Sequence, residues 1–370
     1  MQINEILKIV VDKKASDLHL KVGHVPVLRI DGALIRQENL PKMDMANIES
    51  VFQQVTTPEQ RATFLKEWEL DLAYSIPGLA RFRVNIMRQR GTMSFVFRLV
   101  PFQVPSIDEL GLPQILKELV LKPRGLVLVT GPTGSGKSTT LAAMVNYLNQ
   151  NAARSVITIE DPIEFLHHDE KCLIVQRDIG DDTRSFAGAL THALRHDPNV
   201  IVVGEMRDLD TISTAIMAAE TGHLVLSTLH TSDAAQTVDR IIDVFPLGQQ
   251  QQIRLQVSQI LEGVLSQALL PRIGGKGRIA AFEIMVANAA VRNLIRGGKT
   301  FELQNVMQLC SNEGMCTFDD ALAKLVKDQQ VTLEEALSKS SDQQRLRRTL
   351  GMEVEAPLPN NSCHVAEKYR

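Results

Sequence analysis

The chain has 370 residues, 44% of them hydrophobic and 22% charged, which is enough for two or three domains with their own cores. Its formal net charge of −3 gives no global argument for a nucleic-acid partner. No apolar run approaches the ~18 residues of a membrane span, and the first residues lack the basic segment of a signal peptide. The four cysteines include no C-x-x-C pair, so neither a zinc ribbon nor a disulfide framework is suggested. We therefore expect a soluble protein of the cytoplasm.

Residues 1–100 are predicted to form a small α+β domain that carries no catalytic motif of its own. It begins with an amphipathic helix at 3–15, where apolar residues recur at helical spacing. Asp31-Gly32 is a strong hairpin signal. The further predicted elements are a strand at 18–20, hairpin strands at 25–30 and 33–37, helices near 45–55 and 58–68, and strands at 70–76, 81–87 and 92–100. Residues 101–113 contain three prolines and are predicted to be a linker.

Residues 114–345 are predicted to form a nucleotide-binding α/β domain with a helical C-terminal part. Strands and helices alternate, which indicates a parallel sheet covered by helices on both faces. The alternating elements are 125–130, 137–148, 155–159, 185–195, 199–203, 209–220 and 223–228. Beyond Phe245-Pro246 we predict one strand, 279–285, and helices at 249–269, 288–296, 301–309, 317–328 and 333–339. Residues 340–370 lose apolar periodicity, and 346–370 are predicted to be a disordered tail.

One stretch matches a complete phosphate-binding loop, G-x-x-x-x-G-K-S, between a predicted strand and a predicted helix. Such a loop brings backbone N–H groups against phosphate oxygens at the positive end of a helix. Lys137 is expected to reach the β- and γ-phosphates of a nucleoside triphosphate, and the Ser138 hydroxyl to bind Mg²⁺. The predicted nucleotide-binding residues of the loop are Gly131, Pro132, Thr133, Gly134, Ser135, Gly136, Lys137, Ser138 and Thr139. The alternative is a glycine-rich turn that matches the motif by chance.

Acidic residues follow two of the predicted strands. Hydrolysis needs a carboxylate for the metal ion and a group that orients water, and ligands of open α/β sheets lie beyond the carboxyl ends of the strands. Glu205 is expected to bond a Mg²⁺-bound water. Glu164 is our choice for polarising the attacking water, with Glu160 and Asp161 as alternatives or as metal support. The competing interpretation is a set of solvated carboxylates at strand ends.

His223 and His230 lie at the two ends of the next apolar strand. A histidine beyond a strand end can donate a hydrogen bond to a γ-phosphate and report its presence. The plainer interpretation is a core histidine or a helix cap. Both interpretations stay open for His230, and the plainer one is favoured for His223.

Arginines are the remaining candidates for charge stabilisation. Arg81 and Arg83 lie on one face of a predicted strand, opposite Phe82 and Val84. Such a pair is usually the solvated side of a strand, but it could also enter a nucleotide site from the same chain or a neighbouring subunit. The second candidates are Arg195 and Arg207, which flank the Glu205 strand, and Arg272 and Arg278 further along.

Four motifs occur in order along the chain: GPTGSGKS at 131–138, ITIEDPIEF at 157–165, DPNVIVVGEMRD at 197–208 and GHLVLSTLHT at 222–231. Together they resemble the secretion-type ATPase superfamily, and most closely the type IV pilus retraction ATPases, the PilT family. The resemblance extends over residues 1 to about 340, and it includes ASDLHL at 15–20 and ARFRVN at 80–85.

The resemblance implies a PAS-like N-terminal domain joined to a RecA-like domain, and a homo-hexameric ring with ATP at the subunit boundaries. It implies that ATP binding clamps the domains together about the 101–113 linker and that hydrolysis releases them, driving pilus retraction and twitching motility. The implied partners are a platform protein of the inner membrane, at its cytoplasmic face, and a paralogous retraction ATPase; no nucleic acid is expected. The implied site residues are Lys137 and Ser138, Glu164, Glu205, a histidine box of His223 and His230, and nucleotide-facing Arg81 and Arg83.

Two features depart from the pattern of the superfamily. Assembly-type relatives usually carry a paired C-x-x-C metal site, and this chain has none, which favours the retraction branch. The C-terminal AIRNLIRE motif is present at 290–297 with Gly297 in place of the acidic residue. Val291, Leu294 and Ile295 give this segment an apolar face that is typical of an ordinary packing helix.

Two other classes of function compete with a mechanoenzyme. A RecA-like nucleic-acid motor would need a basic, aromatic-lined surface. Aromatic content of 4%, with Trp68 as the one tryptophan, and a net negative charge weigh against it, although DNA-stimulated ATPase activity would revive it. A small-molecule kinase would need a lid and an acceptor pocket, for which the sequence offers no candidate. Within the superfamily, another secretion ATPase is the alternative.

Overall fold

The computed structural model describes residues 2–101, 104–275 and 277–352. These residues form two compact units. The first unit consists of the residues up to Val127 and of Ser138–Thr228, and the second of Leu128–Lys137 and the residues from Leu229 onward. Along this described part of the chain, no helix is both long enough and apolar enough to cross a membrane.

The first hundred residues fold as helices on an antiparallel sheet. The elements are α1 Ile3–Asp12, β1 Asp17–Lys21, β2 Val27–Ile30, β3 Ala33–Arg36, α2 Met45–Val55, α3 Pro58–Glu67, β4 Glu69–Ile76, β5 Ala80–Gln89 and β6 Thr92–Val100. The strands pair in the order β3-β2-β1-β6-β5-β4, each antiparallel to its neighbour. The elements predicted for this region are all present, with small differences at their ends.

The core of this sheet follows from two sequence periods. In α1 the buried residues Ile3, Ile6, Leu7 and Val10 recur at the spacing of one helix face. In β5 burial alternates, so that Phe82, Val84 and Ile86 lie in the core together with Phe95 and Phe97 of β6. Arg81 and Arg83 therefore lie on the face of β5 that points away from this core.

The stretch ASDLHL contributes a buried carboxylate that joins three strands. Arg98 Nε of β6 donates to Asp17 Oδ1 at 2.9 Å, and Arg29 Nε of β2 lies 3.8 Å from Asp17 Oδ2. Burial alone would raise the pKa of Asp17, but hydrogen bonds from Arg98 and Ser16 lower it below its usual range. In this unit the motif is therefore part of the framework of the sheet.

The predicted linker is locally ordered between residues 104 and 113. Ser106 donates from its backbone N–H and its hydroxyl to Glu109 Oε2, at 2.7 and 2.9 Å. Ile107 and Leu112 are buried. Asn146 Nδ2 donates to the Val104 carbonyl oxygen at 3.4 Å. Residues 102 and 103 lie outside the described residues.

The next part of the chain alternates strand and helix. Its elements are α4 Ile115–Val120, β7 Gly125–Thr130, α5 Lys137–Asn151, β8 Ser155–Glu160, β9 Leu173–Asp178, α6 Phe186–Ala193, β10 Val200–Val203, α7 Leu209–Glu220 and β11 Leu224–Leu229. Within the first unit the strands lie in the order β11-β10-β8-β9, all parallel. The strand β9 was not predicted, because its apolar run, 173–175, is only three residues long and polar residues follow it.

The second unit contains helices and an antiparallel strand pair. Its elements are α8 Ala234–Asp243, α9 Leu247–Ile260, β12 Leu261–Pro271, β13 Arg278–Val286, α10 Ala289–Arg296, α11 Leu303–Leu309, α12 Phe318–Lys327, α13 Leu333–Lys339 and α14 Gln343–Thr349, with short 3-10 helices at Thr300–Glu302 and Ser311–Glu313. β12 pairs with β13 from Gly263↔Val286 to Pro271↔Arg278.

The helix predicted over 249–269 was wrong beyond Ile260. The helix α9 ends there, and β12 follows without a connecting loop. Most side chains of β12 are buried on both faces, and periodicity alone does not distinguish such a strand from a buried helix. The α/β fold therefore has a mixed, mostly parallel sheet, where the sequence predicted a parallel one.

The C-terminal prediction also needs a correction. Residues 346–349, predicted to be disordered, belong to α14, and Leu346 is fully buried against the cluster that contains Leu322 of α12 and Ala336 of α13. This packing is tertiary, so a weak local pattern did not reveal it. Residues 353–370 of the predicted tail lie outside the described residues. Thr332 caps α13, because its hydroxyl accepts from the Glu335 N–H at 3.3 Å.

Candidate nucleotide-binding and catalytic site

The loop between β7 and α5 has the backbone of an anion cradle. Gly131, Gly134 and Gly136 have φ values of 141°, 79° and 92°, a region that favours glycine. A Cβ on Gly131 would collide with the Gln267 carbonyl oxygen and lie 2.7 Å from Ser135 Oγ. Of the other predicted loop residues, the exposed ones are Pro132, Thr133 and Gly134, and the half-buried ones in the first turn of α5 are Ser138 and Thr139.

The side chains of the loop fit a phosphate group. Lys137 is buried and its Nζ donates to the carbonyl oxygens of Gly131 at 2.9 Å and Pro132 at 3.2 Å. Ser135 Oγ is buried and has no hydrogen-bond partner. A buried hydroxyl needs a partner, and a phosphate oxygen would supply one. The ammonium group and the orphan hydroxyl are therefore both suited to an anion in this loop.

Gln267 of β12 also contacts this loop and was not predicted from the sequence. Its Nε2 donates to the Ser135 carbonyl oxygen at 2.7 Å, with both groups buried. The preceding residue, Ser266, accepts at its Oγ from Thr130 Oγ1 at 2.8 Å. No sequence signal could have found these contacts, because they join residues more than 130 positions apart and β12 was predicted as helix.

In the first unit, Glu160 at the end of β8 organises the acidic segment that follows it. Glu160 Oε1 accepts from Thr158 Oγ1 at 2.7 Å and from Gln176 Nε2 at 3.2 Å, and Oε2 accepts from the Glu164 N–H at 3.3 Å. Burial raises the pKa of Glu160 above its usual range, against the effect of these hydrogen bonds. Glu164 and Asp161 are exposed. Gln176 of β9, which also was not predicted, donates to the Phe165 carbonyl at 2.9 Å.

The structure brings Arg81 and Arg83 of β5 to this acidic segment. Arg81 Nη2 donates to Asp178 Oδ2 at 3.0 Å, at the end of β9. Arg83 Nη2 donates to the Pro162 carbonyl oxygen at 3.0 Å and lies 3.8 Å from Glu164 Oε1. Arg83 Nε is buried and has no hydrogen-bond partner. Burial raises the pKa of Asp178, while the bond from Arg81 opposes that rise.

Glu205 lies beyond the neighbouring parallel strand. Ile159 of β8 is in register with Val203 of β10, so Glu160 and the Gly204-Glu205 turn share one edge of the sheet. There is little space for a side chain at Gly204, because a Cβ there would lie 3.2 Å from the Ile159 carbonyl oxygen. Arg207 Nε forms an ion pair with Glu205 Oε1 at 2.7 Å. The second-choice Arg207 is thus a direct neighbour of Glu205.

The two histidines occupy opposite ends of β11. His223 precedes the strand at its amino end, and its Nδ1 lies 2.9 Å from the Ala218 carbonyl oxygen and 3.3 Å from Thr221 Oγ1. This is the helix-cap arrangement, and it places His223 at the edge of the parallel strands opposite to Glu160 and Glu205. A contact of His223 with a nucleotide stays a prediction. His230 follows β11 at its carboxyl end and is exposed.

The remaining arginine candidates are peripheral. Arg195 follows α6 and is exposed. In the second unit Arg272 bonds to Gln330 Oε1, and Arg278 is exposed at the start of β13. Among the described residues, none of these three arginines forms a hydrogen bond or an ion pair with the acidic segment or the phosphate loop of its own unit.

The candidate site offers oxygen ligands suited to a divalent cation, but the described residues form no metal site made of protein side chains alone. Across the described ranges, no group of three or more His, Cys, Asp or Glu side chains is placed to hold a metal ion. Mg²⁺ in nucleotide sites is held by one or two protein oxygens together with phosphate oxygens and water. The Ser138 hydroxyl and the Glu205 carboxylate are oxygen donors of this kind.

A family model described as "Type II/IV secretion system protein" matches residues 1–338. The type IV pilus retractation ATPase PilT of Pseudomonas aeruginosa is 46% identical over 340 residues, which cover 92% of this chain and 98% of that protein. A twitching motility protein of Neisseria gonorrhoeae is 46% identical over 321 residues, covering 87% of this chain and 86% of that protein.

Among solved structures, a crystal structure of the pilus retraction motor PilT with bound ADP has a TM-score of 0.87 to this chain. The two sequences are 44% identical, and the match covers 94% of this chain and 99% of the other. The similarity extends through both compact units, so it concerns the whole molecule and not the phosphate loop alone.

Proposed function

The chain belongs to the type II/IV secretion system protein family, and on this basis we propose that it is an ATPase whose hydrolysis of ATP drives retraction of type IV pili. The observation that carries this proposal is the phosphate loop, in which a buried Lys137 and an orphan Ser135 hydroxyl lie in a backbone that only glycine allows at Gly131. The similarity over the full length to proteins named for pilus retraction favours retraction as the process that ATP hydrolysis drives.

Lys137 and the loop backbone bind the phosphates. The Lys137 ammonium now lies on two loop carbonyl oxygens, and transfer to phosphate oxygens exchanges neutral acceptors for charged ones, which form stronger hydrogen bonds. The Ser138 hydroxyl and Glu205 are the proposed Mg²⁺ donors, Glu205 through a bound water. Mg²⁺, when bound, neutralises charge on the phosphate oxygens.

Glu164 is the proposed group that polarises the attacking water. It is exposed, and its backbone N–H is held by Glu160, whose own carboxyl is tied to Thr158 and Gln176. These bonds, together with the raised pKa of Glu160, make Glu160 a better support for Glu164 than a metal ligand. Asp161 remains an exposed alternative.

Arg81 and Arg83 are the proposed charge-stabilising residues of the N-terminal segment, which we take to be a PAS-like domain joined to a RecA-like one. Arg83 retains an unpartnered Nε and lies near Glu164, so a modest movement would redirect its guanidinium. The chain would work as a homo-hexameric ring, with the 101–113 linker as the hinge and a neighbour completing each nucleotide site. Its partners would be an inner-membrane platform protein, at the cytoplasmic face, and a paralogous retraction ATPase.

The first test is ATP turnover per chain against protein concentration, for wild type and for Glu205→Ala, Glu164→Ala and Arg83→Ala. Turnover that rises with concentration is expected, because a neighbour completes the site. Glu164→Ala should lose turnover and keep nucleotide binding, whereas Glu170→Ala, an exposed carboxylate in the same segment, should behave as wild type. Turnover that stays constant down to a demonstrated monomer would refute the ring mechanism.

The second test asks whether the chain drives pilus retraction in cells. Cells that make type IV pili and lack this chain should show extended pili that do not shorten, and wild-type chain should restore shortening in live imaging of labelled pili. The Lys137→Ala variant, present at the same abundance, should not restore pilus shortening. Stimulation of turnover by DNA, together with normal pilus shortening in the deletion, would instead favour a nucleic-acid motor.

A further inference from the structure

Gln267 makes an unusual set of contacts for a side chain outside the phosphate-loop motif. It is 3% exposed, and its Nε2 donates to the Ser135 carbonyl oxygen at 2.7 Å. The same Nε2 would lie 3.2 Å from a Cβ on Gly136, and the Gln267 carbonyl oxygen occupies the space beside Gly131. One residue of β12 therefore touches the beginning, middle and end of the loop.

The direction of the loop carbonyls explains why such a contact matters. A phosphate loop binds an anion by converging its N–H groups on it, so the carbonyl oxygens of the same peptides must point elsewhere. A buried carbonyl that points away from the ligand needs another donor. Lys137 supplies one to Gly131 and Pro132, and Gln267 supplies one to Ser135.

The two donors differ in what nucleotide binding does to them. The proposed role of Lys137 takes its ammonium to the phosphates, whereas the Gln267 amide is neutral and buried and stays on Ser135. The adjacent bond between Thr130 and Ser266 fixes β12 to the strand that leads into the loop. β12 thus holds the loop at its start and in its middle.

We propose that Gln267 is a positioning residue for nucleotide binding, which keeps the Ser135 carbonyl turned away from the phosphates. This proposal rests on the proposed function of the loop as a nucleotide site. Gln267 acts through the backbone of the loop and does not contact the nucleotide itself.

The test measures the dissociation constant of a fluorescent ADP analogue and the kcat and KM of ATP hydrolysis. Gln267→Met keeps the length and the burial but removes the donor. Because it leaves a buried carbonyl without a partner, we expect nucleotide affinity to fall roughly 10-fold and KM to rise in proportion, with kcat within about twofold of wild type. Gln37→Met is the matched control, because Gln37 is 4% exposed and belongs to the N-terminal sheet region of the other unit.

Gln267→Glu gives a signature that loss of packing would not produce. An ionised carboxylate facing the Ser135 carbonyl is repulsive, whereas a protonated one can donate the missing hydrogen bond. We therefore expect its affinity, relative to wild type at the same pH, to recover as pH falls from about 8 to about 5. A folded Gln267→Met with wild-type affinity, an equal loss in Gln37→Met, or a flat pH profile in Gln267→Glu would overturn the proposal. Failure of wild type to bind nucleotide would overturn the proposed function as well, so the two failures are distinguishable.

Discussion

Glu283 of β13 should make the stability of this protein depend on pH. It is 2% exposed, and it caps two helices at once: Oε1 accepts from the Ala234 N–H at 2.8 Å and Oε2 from the Phe318 N–H at 3.4 Å. Burial raises its pKa from 4.5 to about 7, and the carboxylates of Asp233 and Asp319 add to the rise, against the two backbone bonds. The perturbation that isolates this group is Glu283→Gln.

The sign follows from proton linkage. Because the folded-state pKa lies above the unfolded value, the unfolded chain loses the proton first, and stability falls as pH rises from about 4.5 to about 7. A pKa difference of this size corresponds to about 3 kcal/mol. Glutamine does not titrate, but its NH₂ group cannot accept from one of the two helix N–H groups, which costs about 1 kcal/mol at every pH.

The assay is the free energy of unfolding of wild type and Glu283→Gln at about pH 5 and about pH 8, followed by hydrogen exchange of the first turns of α8 and α12. At the lower pH we expect the variant to be no more stable than wild type. Between the lower and the higher pH, the free energy of unfolding of the variant relative to wild type should rise by about 2 kcal/mol. Since all other titrating groups are common to both proteins, the difference reports Glu283. Parallel pH profiles for the two proteins would refute this reasoning.

Three further predictions concern the candidate site. Gly131→Ala should abolish binding of a fluorescent ADP analogue in a folded chain, since its Cβ would meet the Gln267 carbonyl; binding within a few-fold of wild type would contradict the close approach of β12 to the loop. Arg81→Gln should destabilise the first unit by about 1–3 kcal/mol in urea unfolding, because Asp178 is left buried without its cation, and Arg81→Gln with Asp178→Asn should recover part of the loss. Equal stability of all three would refute that pairing. Thr158→Val should lower kcat with little change in KM, because it loosens Glu160 and through it Glu164; an unchanged kcat would argue against that support.

The parts of this protein whose chemistry is local could be predicted from the sequence alone. The phosphate loop needs glycines, a lysine and a serine at fixed spacing, and the structure shows why at Gly131, where no Cβ fits. The alternation of β5 likewise placed Arg81 and Arg83 on one face without reference to any partner. Carboxylates after buried strands could be assigned to one sheet edge, since parallel strands end together, and Glu160 and Glu205 do so.

The parts that depend on distant segments could be seen only in the folded chain. Leu261–Pro271 is a strand because it pairs with β13, although its apolar run also fits the helix that the sequence predicted. Gln267 meets Ser135, and Arg81 meets Asp178, across separations of 132 and 97 residues. Local patterns fix what a segment can form and which side chains share a face; only chain packing selects the partners that hydrogen bonding, burial and charge then require.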